Sequence, residues 1–169
     1  MNEKFTLGME YPNLPYLFDE DVKLTETLAI MQYVAKKWKP ELLGRNAAEV
    51  GRIHMLEFHV FTLKQACTGP CYSETGNREE IVSHCRPMLA KLYEVTGNSI
   101  YIAGEHITYL DFMYHELLDL LNWLSEGSFF QEFPNLQVYY DRMVAHYPGY
   151  WQENVQLSMN GPEAKINNL

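Results

Sequence analysis

One set of side chains at helical spacing has the residue types that bind metal ions. His115 lies four residues from Asp111 and four from Asp119, so the three side chains would share one face of a helix. Histidine and carboxylate groups are common zinc ligands. Asp111 also stands three residues after Thr108, the spacing of a capping box at a helix start. The capping role already explains Asp111, so a capped helix is the better interpretation, and we predict no metal site.

The cysteines form a second set of reactive side chains. Cys67 and Cys71 are four residues apart and share a helical face, but they lack the two-residue spacing of a redox or zinc pair. Together with Cys85 they make an odd number, and the Met-Asn-Glu-Lys start has neither a basic nor an apolar targeting region. These observations indicate buried free thiols in a reducing compartment, and we expect a cytoplasmic protein.

Composition excludes two classes of partner. The 169 residues carry a formal net charge of -9 with 47% hydrophobic side chains, so one sizeable core is expected, while the clustered Lys and Arg that bind phosphates are missing. The most apolar run, residues 117–124, is interrupted by Asp119 and Asn122. It is far shorter than the roughly 20 residues that span a bilayer. We therefore predict neither a nucleic-acid partner nor a membrane.

The elements that must position these side chains begin with a hairpin. Residues 16–18 and 22–24 have strand patterns and are separated by the acidic turn Asp19-Glu20-Asp21. From Thr25 onward apolar residues recur at helical intervals, until the sequence Lys36-Lys37-Trp38-Lys39-Pro40 breaks the pattern.

The rest of the chain predicts helices with identifiable starts. Asn46 with Glu49, Asn77 with Glu80 and Thr108 with Asp111 are caps, while Pro134 suits the first turn of a last helix that runs towards His146. Three apolar faces are expected to point inward: Val50, Ile53, Leu56, Val60, Leu63 and Cys67; Ile81, Cys85, Met88 and Leu92; Leu136, Tyr139 or Tyr140, and Met143. We predict a kink at Pro87, a centrally placed helix over residues 112–124, and four or five helices in all.

Three segments carry a resemblance to a known family. "EKFTLGMEYPNLPYLFDEDVKLTETLAIMQYVAKKW", "ITYLDF" and "FPNL" resemble, in order and spacing, parts of the mu class of cytosolic glutathione S-transferases. The resemblance covers nearly the whole chain. It implies a mostly α fold in which a glutathione transferase helical bundle, residues 46–169, is preceded by a linker, residues 38–45. Residues 1–37 would form a partial thioredoxin-like unit, a β-hairpin plus a helix.

The resemblance also implies an enzymatic activity, together with the expectation that this chain lacks part of the catalytic site. Family members join glutathione to small electrophiles, with a catalytic tyrosine on a strand that would lie upstream of Met1. The expectation is that the chain lacks this strand and is impaired or inactive as a glutathione transferase. The alternatives are a non-catalytic structural or interaction subunit of a larger assembly and a scaffold that binds glutathione without turnover.

Glutathione, as co-substrate or ligand, is the one small molecule that the resemblance implies. The Asn13-Leu14-Pro15 run resembles the family's clamp, in which a cis proline presents the preceding backbone to the tripeptide; an ordinary turn proline is the alternative. Glu26-Thr27 occupies the place of the Gln-Ser pair that holds the γ-glutamyl end, although a capped helix alone also explains it. Lys4 matches a lysine that contacts the glycyl carboxylate.

Two further positions depart from the family pattern. Tyr72 aligns with a tyrosine that reaches the electrophile, but Gly69 and Pro70 interrupt the family's helix, so we expect a loop there. Thr62 replaces an acidic residue that crosses the family's dimer interface. The partner is therefore expected to be a second copy or another protein that covers the open edge of the sheet.

Overall fold

The computed structural model describes residues 3–71 and 77–146 of the 169-residue chain. The chain divides into two compact units, Met1–Val50 and Gly51–Leu169.

Unit 1 contains the predicted hairpin. Strands β1 (Tyr16–Asp19) and β2 (Val22–Thr25) pair antiparallel, with Tyr16 opposite Thr25 and Asp19 opposite Val22. Helix α1 (Thr27–Trp38) follows β2 directly and packs on both strands. Short 3-10 helices cover Glu3–Thr6 and Pro40–Leu43. The second of these occupies half of the segment predicted as a linker, residues 38–45.

Five helices follow in the described residues: α2 (Ala47–Cys71), α3 (Arg78–Thr96), α4 (Tyr109–Leu124), α5 (Ser128–Glu132) and α6 (Pro134–His146). All except α5 begin at a predicted cap or, in α6, at the predicted Pro134. The side-chain oxygen of Asn46 accepts hydrogen bonds from the amides of Ala48 and Glu49, both 3.0 Å long. Asn77 does the same for Glu79 and Glu80, at 2.8 and 3.4 Å. These bonds satisfy amides that a helix start otherwise leaves unpaired.

The core of unit 2 surrounds α4, as the predicted central helix requires. Helix α4 packs against α3, α5 and α6. Eleven of its residues are buried: Tyr109, Leu110, Asp111, Met113, Tyr114, His115, Leu117, Leu118, Leu120, Leu121 and Leu124. The predicted inward residues Leu136, Tyr139 and Met143 of α6 are also buried, and Tyr140 is half-buried. Burial of this apolar area, at about 25 cal/mol per Å², supplies the main stabilisation of the unit.

Three local expectations were wrong or incomplete. The predicted loop at Gly69 and Pro70 is helical, since α2 continues to Cys71, which is 3% exposed in the core. In α3, Leu89 is fully buried while the predicted Met88 is only half-buried. The five-residue α5 was not predicted at all.

The fold agrees with the mostly helical class that the sequence indicated. In the ranges 3–71 and 77–146, every helix is too short or too polar to cross a bilayer.

Candidate functional site

The Asn13-Leu14-Pro15 run leads directly into β1. Its Leu14–Pro15 peptide bond is cis, as predicted. All three side chains are exposed, and 73% of Leu14 is accessible to solvent. The run therefore presents its backbone at the surface of unit 1.

Glu26 occupies the junction between β2 and α1 in an uncommon backbone conformation. Its φ is 72° and its ψ is 121°, a region that residues with a Cβ rarely adopt. The Glu26 carbonyl accepts the amide of Ile30 at 3.0 Å, so Glu26 is the N-cap and Thr27 the first helical residue. Strained conformations of this kind concentrate at binding sites. The pattern that predicted a capped helix gave no sign of the positive φ.

The fold brings Asn13 and Glu26 together. Nδ2 of Asn13 donates a hydrogen bond of 3.4 Å to Oε1 of Glu26 across a separation of 13 residues. The first turn of α1 contains no acidic side chain. Its exposed amides and positive dipole end are consequently available to an anionic group, while the Glu26 carboxylate suits a cation.

A polar cluster joins α1 to β1 of the hairpin. The Asp19 carboxylate accepts a 2.8 Å hydrogen bond from Tyr33 and forms an ion pair with Lys37. The Lys37 and Tyr33 hydrogen bonds hold the pKa of Asp19 below its ordinary value. Bonding to Asp19 raises the pKa of Lys37, whose ammonium also lies 4.9 Å from the Trp38 ring centroid. The sequence pattern did not single out this cluster, which joins the middle and the last turn of α1 to the end of β1.

The segment before Asn13 is also joined to the hairpin. Nζ of Lys23, on β2, donates to the Leu7 carbonyl at 3.4 Å and lies 5.4 Å from the ring centroid of Phe18. The next residue, Gly8, has a φ of 64° that favours glycine. Lys4 belongs to the 3-10 helix Glu3–Thr6, and its side chain is outside the described part. Tyr72 lies wholly outside the described residues.

The predicted capping box is the centre of a buried network in unit 2. Oδ2 of Asp111 accepts the Thr108 amide at 2.7 Å and the Thr108 hydroxyl at 2.8 Å. Oδ1 accepts the Ile102 amide at 2.7 Å and the Tyr139 hydroxyl at 2.8 Å. Burial raises the pKa of Asp111, opposed by these four bonds. Thr108 and Asp111 thus have a structural role in holding the 101–108 loop and α6 to α4.

The neighbouring His115 is buried against an aromatic side chain. Its ring stacks on Tyr140 with centroids 4.4 Å apart and planes inclined by 12°. Tyr140 in turn donates a 2.7 Å bond to Asp119. Across the ranges 3–71 and 77–146, no group of three histidine, cysteine or acidic side chains has metal-binding geometry.

An apolar pocket separates the exposed faces of α2 and α3. Its volume is about 400 Å³. Met55, Phe58 and His59 contribute from α2, and Met88 and Val95 from α3. Phe58 is 69% exposed and Met55 49%. Exposed apolar surface of this kind is typical of a protein interface or a ligand site.

Comparison with known proteins identifies two domains in sequence order. Residues 2–36 match the family described as glutathione S-transferase, N-terminal domain, and residues 63–147 match glutathione S-transferase, C-terminal domain. A glutathione S-transferase of Tyrophagus putrescentiae is 34% identical over 99% of this chain and 77% of its own length. Glutathione S-transferase Mu 1 of Bos taurus is 36% identical, over 84% of this chain and 65% of its own length.

Solved structures give the same result. The glutathione S-transferase Blo t 8 superimposes with a TM-score of 0.70 at 30% identity, over 84% of this chain and 68% of that one. A Pi-class glutathione S-transferase of Onchocerca volvulus superimposes with a TM-score of 0.73 at 26% identity, over 83% of this chain and 68% of that one. Since the domain matches, the relatives and the fold agree, the chain belongs to the glutathione S-transferase family.

Proposed function

We propose that unit 1 binds glutathione and that the protein transfers it to small electrophiles. The observation that carries the proposal is the convergence of the Asn13-Leu14-Pro15 run with Glu26 and Thr27 at the start of α1. This arrangement offers an exposed backbone segment, a helix N-terminus and a carboxylate within one surface. Glutathione has matching groups: a peptide backbone, carboxylates and one ammonium.

Each residue has a separate proposed role in binding. The Leu14 backbone, presented by Pro15, pairs with the cysteinyl part of glutathione like an added strand. The Thr27 hydroxyl and the free amides of α1 bind the γ-glutamyl carboxylate, and the Glu26 carboxylate binds the adjacent ammonium. Asn13 holds Glu26 in place through the 3.4 Å bond.

Lys4 completes the proposed binding set by pairing with the glycyl carboxylate. The transfer itself requires the glutathione thiol as a thiolate, which attacks the electrophilic carbon while a leaving group departs or a strained ring opens. The residues named in unit 1 bind and orient the tripeptide. Tyr72 is proposed to assist the electrophile, for example by protonating the oxygen of an opening epoxide.

Calorimetric titration of the whole chain with glutathione tests the binding step. We expect a dissociation constant below about 1 mM, the weakest affinity that gives useful occupancy. Thr27→Ala should weaken binding by roughly tenfold to a hundredfold, because it removes one hydrogen bond to a charged group, whereas Thr27→Ser should bind like the wild type. Glu26→Ala should also weaken binding, because it removes the group that binds the ammonium. The matched control Glu10→Ala removes the same charge at another exposed position of unit 1 and should have no effect.

Turnover is measured separately with an aryl halide and an epoxide. Conjugation above the uncatalysed rate supports the transferase. Glutathione binding without conjugation would instead favour the binding scaffold, and failure of glutathione to bind would contradict the whole proposal.

An interaction role is a second candidate, favoured by the open edge of β1. Within the described ranges, β1 pairs with β2 alone, and Tyr16 and Phe18 on it are 44% and 47% exposed. An extended segment of a partner protein would satisfy this edge by backbone hydrogen bonds. Hydrogen exchange decides: a monomer whose amides in residues 14–24 are fully protected would contradict this role.

A homodimer is the further partner that we propose. The family is commonly dimeric, and α2 presents exposed Met55, Phe58 and Phe61 beside the apolar pocket. Sedimentation of Phe58→Ser should show a weaker dimer than the wild type. Val138→Ser, which makes the same kind of change on α6 at a 57% exposed position, should not. A wild-type monomer at high concentration would contradict the dimer.

We propose a cytosolic location. Cys67, Cys71 and Cys85 are all free thiols, and the reducing cytosol keeps thiols in this state.

A further inference from the structure

Lys23 joins the hairpin to the chain segment that precedes the Asn13-Leu14-Pro15 run. Its Nζ donates a 3.4 Å hydrogen bond to the carbonyl of Leu7 and lies 5.4 Å from the ring centroid of Phe18. Phe18 is also the residue opposite Lys23 in the antiparallel strand pair. Because the face of an aromatic ring attracts a cation, Phe18 favours the position from which the Lys23 ammonium reaches Leu7.

This contact lies on the face of the hairpin that points away from α1. Lys23 and Phe18 are opposite each other, so their side chains share one face. Successive side chains of a strand point to opposite faces, and the next residue on β1 is Asp19, whose carboxylate contacts Tyr33 of α1. The Lys23 contact is therefore separate from the polar cluster that joins α1 to β1.

The backbone at Gly8 fits closely against the Lys23 ammonium. Gly8 has a φ of 64°, a conformation that residues with a Cβ rarely adopt. A Cβ at this position would lie 3.3 Å from Nζ of Lys23, which is tighter than ordinary van der Waals contact. Both the backbone conformation and the space at residue 8 thus require glycine, and the adjacent Leu7 carbonyl can approach the ammonium.

The residue proposed to bind the glycyl carboxylate of glutathione is close to this contact in sequence. Lys4 belongs to the 3-10 helix Glu3–Thr6, three residues before Leu7. Since a chain spans at most about 3.6 Å per residue, the Lys4 backbone lies within about 11 Å of the Leu7 backbone. The hydrogen bond from Lys23 consequently restricts where Lys4 can lie relative to the hairpin.

We propose that Lys23 is a positioning residue of the proposed glutathione site, because it holds the segment that carries Lys4 where Lys4 meets the glycyl carboxylate. This inference rests on the proposed function. It gives Lys23 a role in specificity: without its contact, the site distinguishes glutathione less well from γ-glutamylcysteine, the same peptide without its glycine. Lys23 acts through Lys4 and does not itself bind the ligand.

Calorimetric titration of the whole chain with glutathione and with γ-glutamylcysteine tests this role. The wild type should bind glutathione about tenfold more tightly, because the glycyl carboxylate adds one hydrogen bond to a charged group. Lys23→Met keeps a long side chain and removes the ammonium. It should lower the affinity ratio about threefold, because Lys4 must then be ordered when the ligand binds. Affinity for γ-glutamylcysteine should not change, which also shows that the variant is folded.

Three further variants separate positioning from other effects. Lys23→Arg keeps a cationic donor and should retain a ratio close to that of the wild type. Lys36→Met makes the same change as Lys23→Met at an exposed position of α1 and should leave the ratio unchanged. In a Lys4→Met background, Lys23→Met should lower the ratio no further, because the residue through which Lys23 acts is absent.

The outcomes distinguish this inference from the proposed function. An unchanged ratio in Lys23→Met, an equal loss of affinity for both peptides, or a further fall in the Lys4→Met background would overturn the positioning role while glutathione binding stands. Equal affinity of the wild type for the two peptides would overturn it as well. Failure of the wild type to bind glutathione would contradict the proposed function, and this inference with it.

Discussion

The hydroxyl of Tyr139 donates a 2.8 Å hydrogen bond to Oδ1 of Asp111, so that α6 is tied to the N-terminus of α4. Asp111 is 0% exposed and Tyr139 6% exposed. The bond therefore joins two buried side chains whose residues are 28 positions apart in the sequence. It links a local helix cap to the long-range packing of unit 2.

Loss of the Tyr139 hydroxyl should destabilise the protein. Tyr139→Phe should lower the free energy of unfolding by about 1–3 kcal/mol, because the ring is retained while a buried carboxylate loses one donor. Asp111→Ala should cost about 3 kcal/mol or more, since it leaves the donors from Ile102, Thr108 and Tyr139 unpaired. Urea denaturation measures both. Equal stability of Tyr139→Phe and wild type would show that the bond does not contribute.

His115 should make stability depend on pH. Burial lowers its pKa from the ordinary 6.5, although the nearby Asp119 opposes the shift. The unfolded chain then binds the proton more readily than the folded one. Stability is therefore fully present above pH 6.5 and is lost as pH falls through the lowered pKa of the folded state.

The variant His115→Phe isolates this effect, because it keeps a flat ring against Tyr140 and removes the titration. The decline in unfolding free energy below pH 6.5 should be shallower than in the wild type. Parallel profiles for His115→Phe and wild type would contradict the prediction.

The start of α3 should depend on Asn77. Asn77→Ala removes the acceptor for the amides of Glu79 and Glu80 and should cost about 1 kcal/mol of unfolding free energy. Asn77→Asp retains the acceptor and adds a favourable charge at the positive end of the helix. It should therefore match or exceed the wild type in thermal denaturation; an equal loss in both variants would exclude the capping role.

Tyr72 should matter for one class of electrophile. If its hydroxyl protonates an opening epoxide, Tyr72→Phe should lower kcat/KM for an epoxide on the order of a hundredfold. Conjugation of an aryl halide, which needs no such proton, should be unchanged. Equal effects on both substrates would point to a structural role for the side chain.

Much of the fold follows from local signals in the sequence. Asn46, Asn77 and Thr108 predict helix starts because a side-chain oxygen satisfies amides only a few residues away. The hairpin likewise depends on a turn between neighbouring strands. These features need no knowledge of distant residues.

The unpredicted features depend on packing that is distant in sequence. Gly69 and Pro70 favour a loop locally, yet burial of Cys67 and Cys71 keeps α2 helical to its last turn. The Asp19 cluster similarly requires α1 to lie over the hairpin. The proposed glutathione site follows from the family resemblance, because exposed polar residues have no periodic pattern.

The backbone conformation of Glu26 should make selection for thermal stability and selection for glutathione binding favour different residues at position 26. Its φ of 72° is unfavourable for any residue with a Cβ, and relief of such a conformation by glycine is worth about 1–3 kcal/mol. A laboratory selection for heat resistance would thus converge on Glu26→Gly, whereas a selection for the proposed glutathione binding would retain a polar side chain at position 26. The residue found at position 26 after directed evolution should therefore depend on which of the two properties was selected.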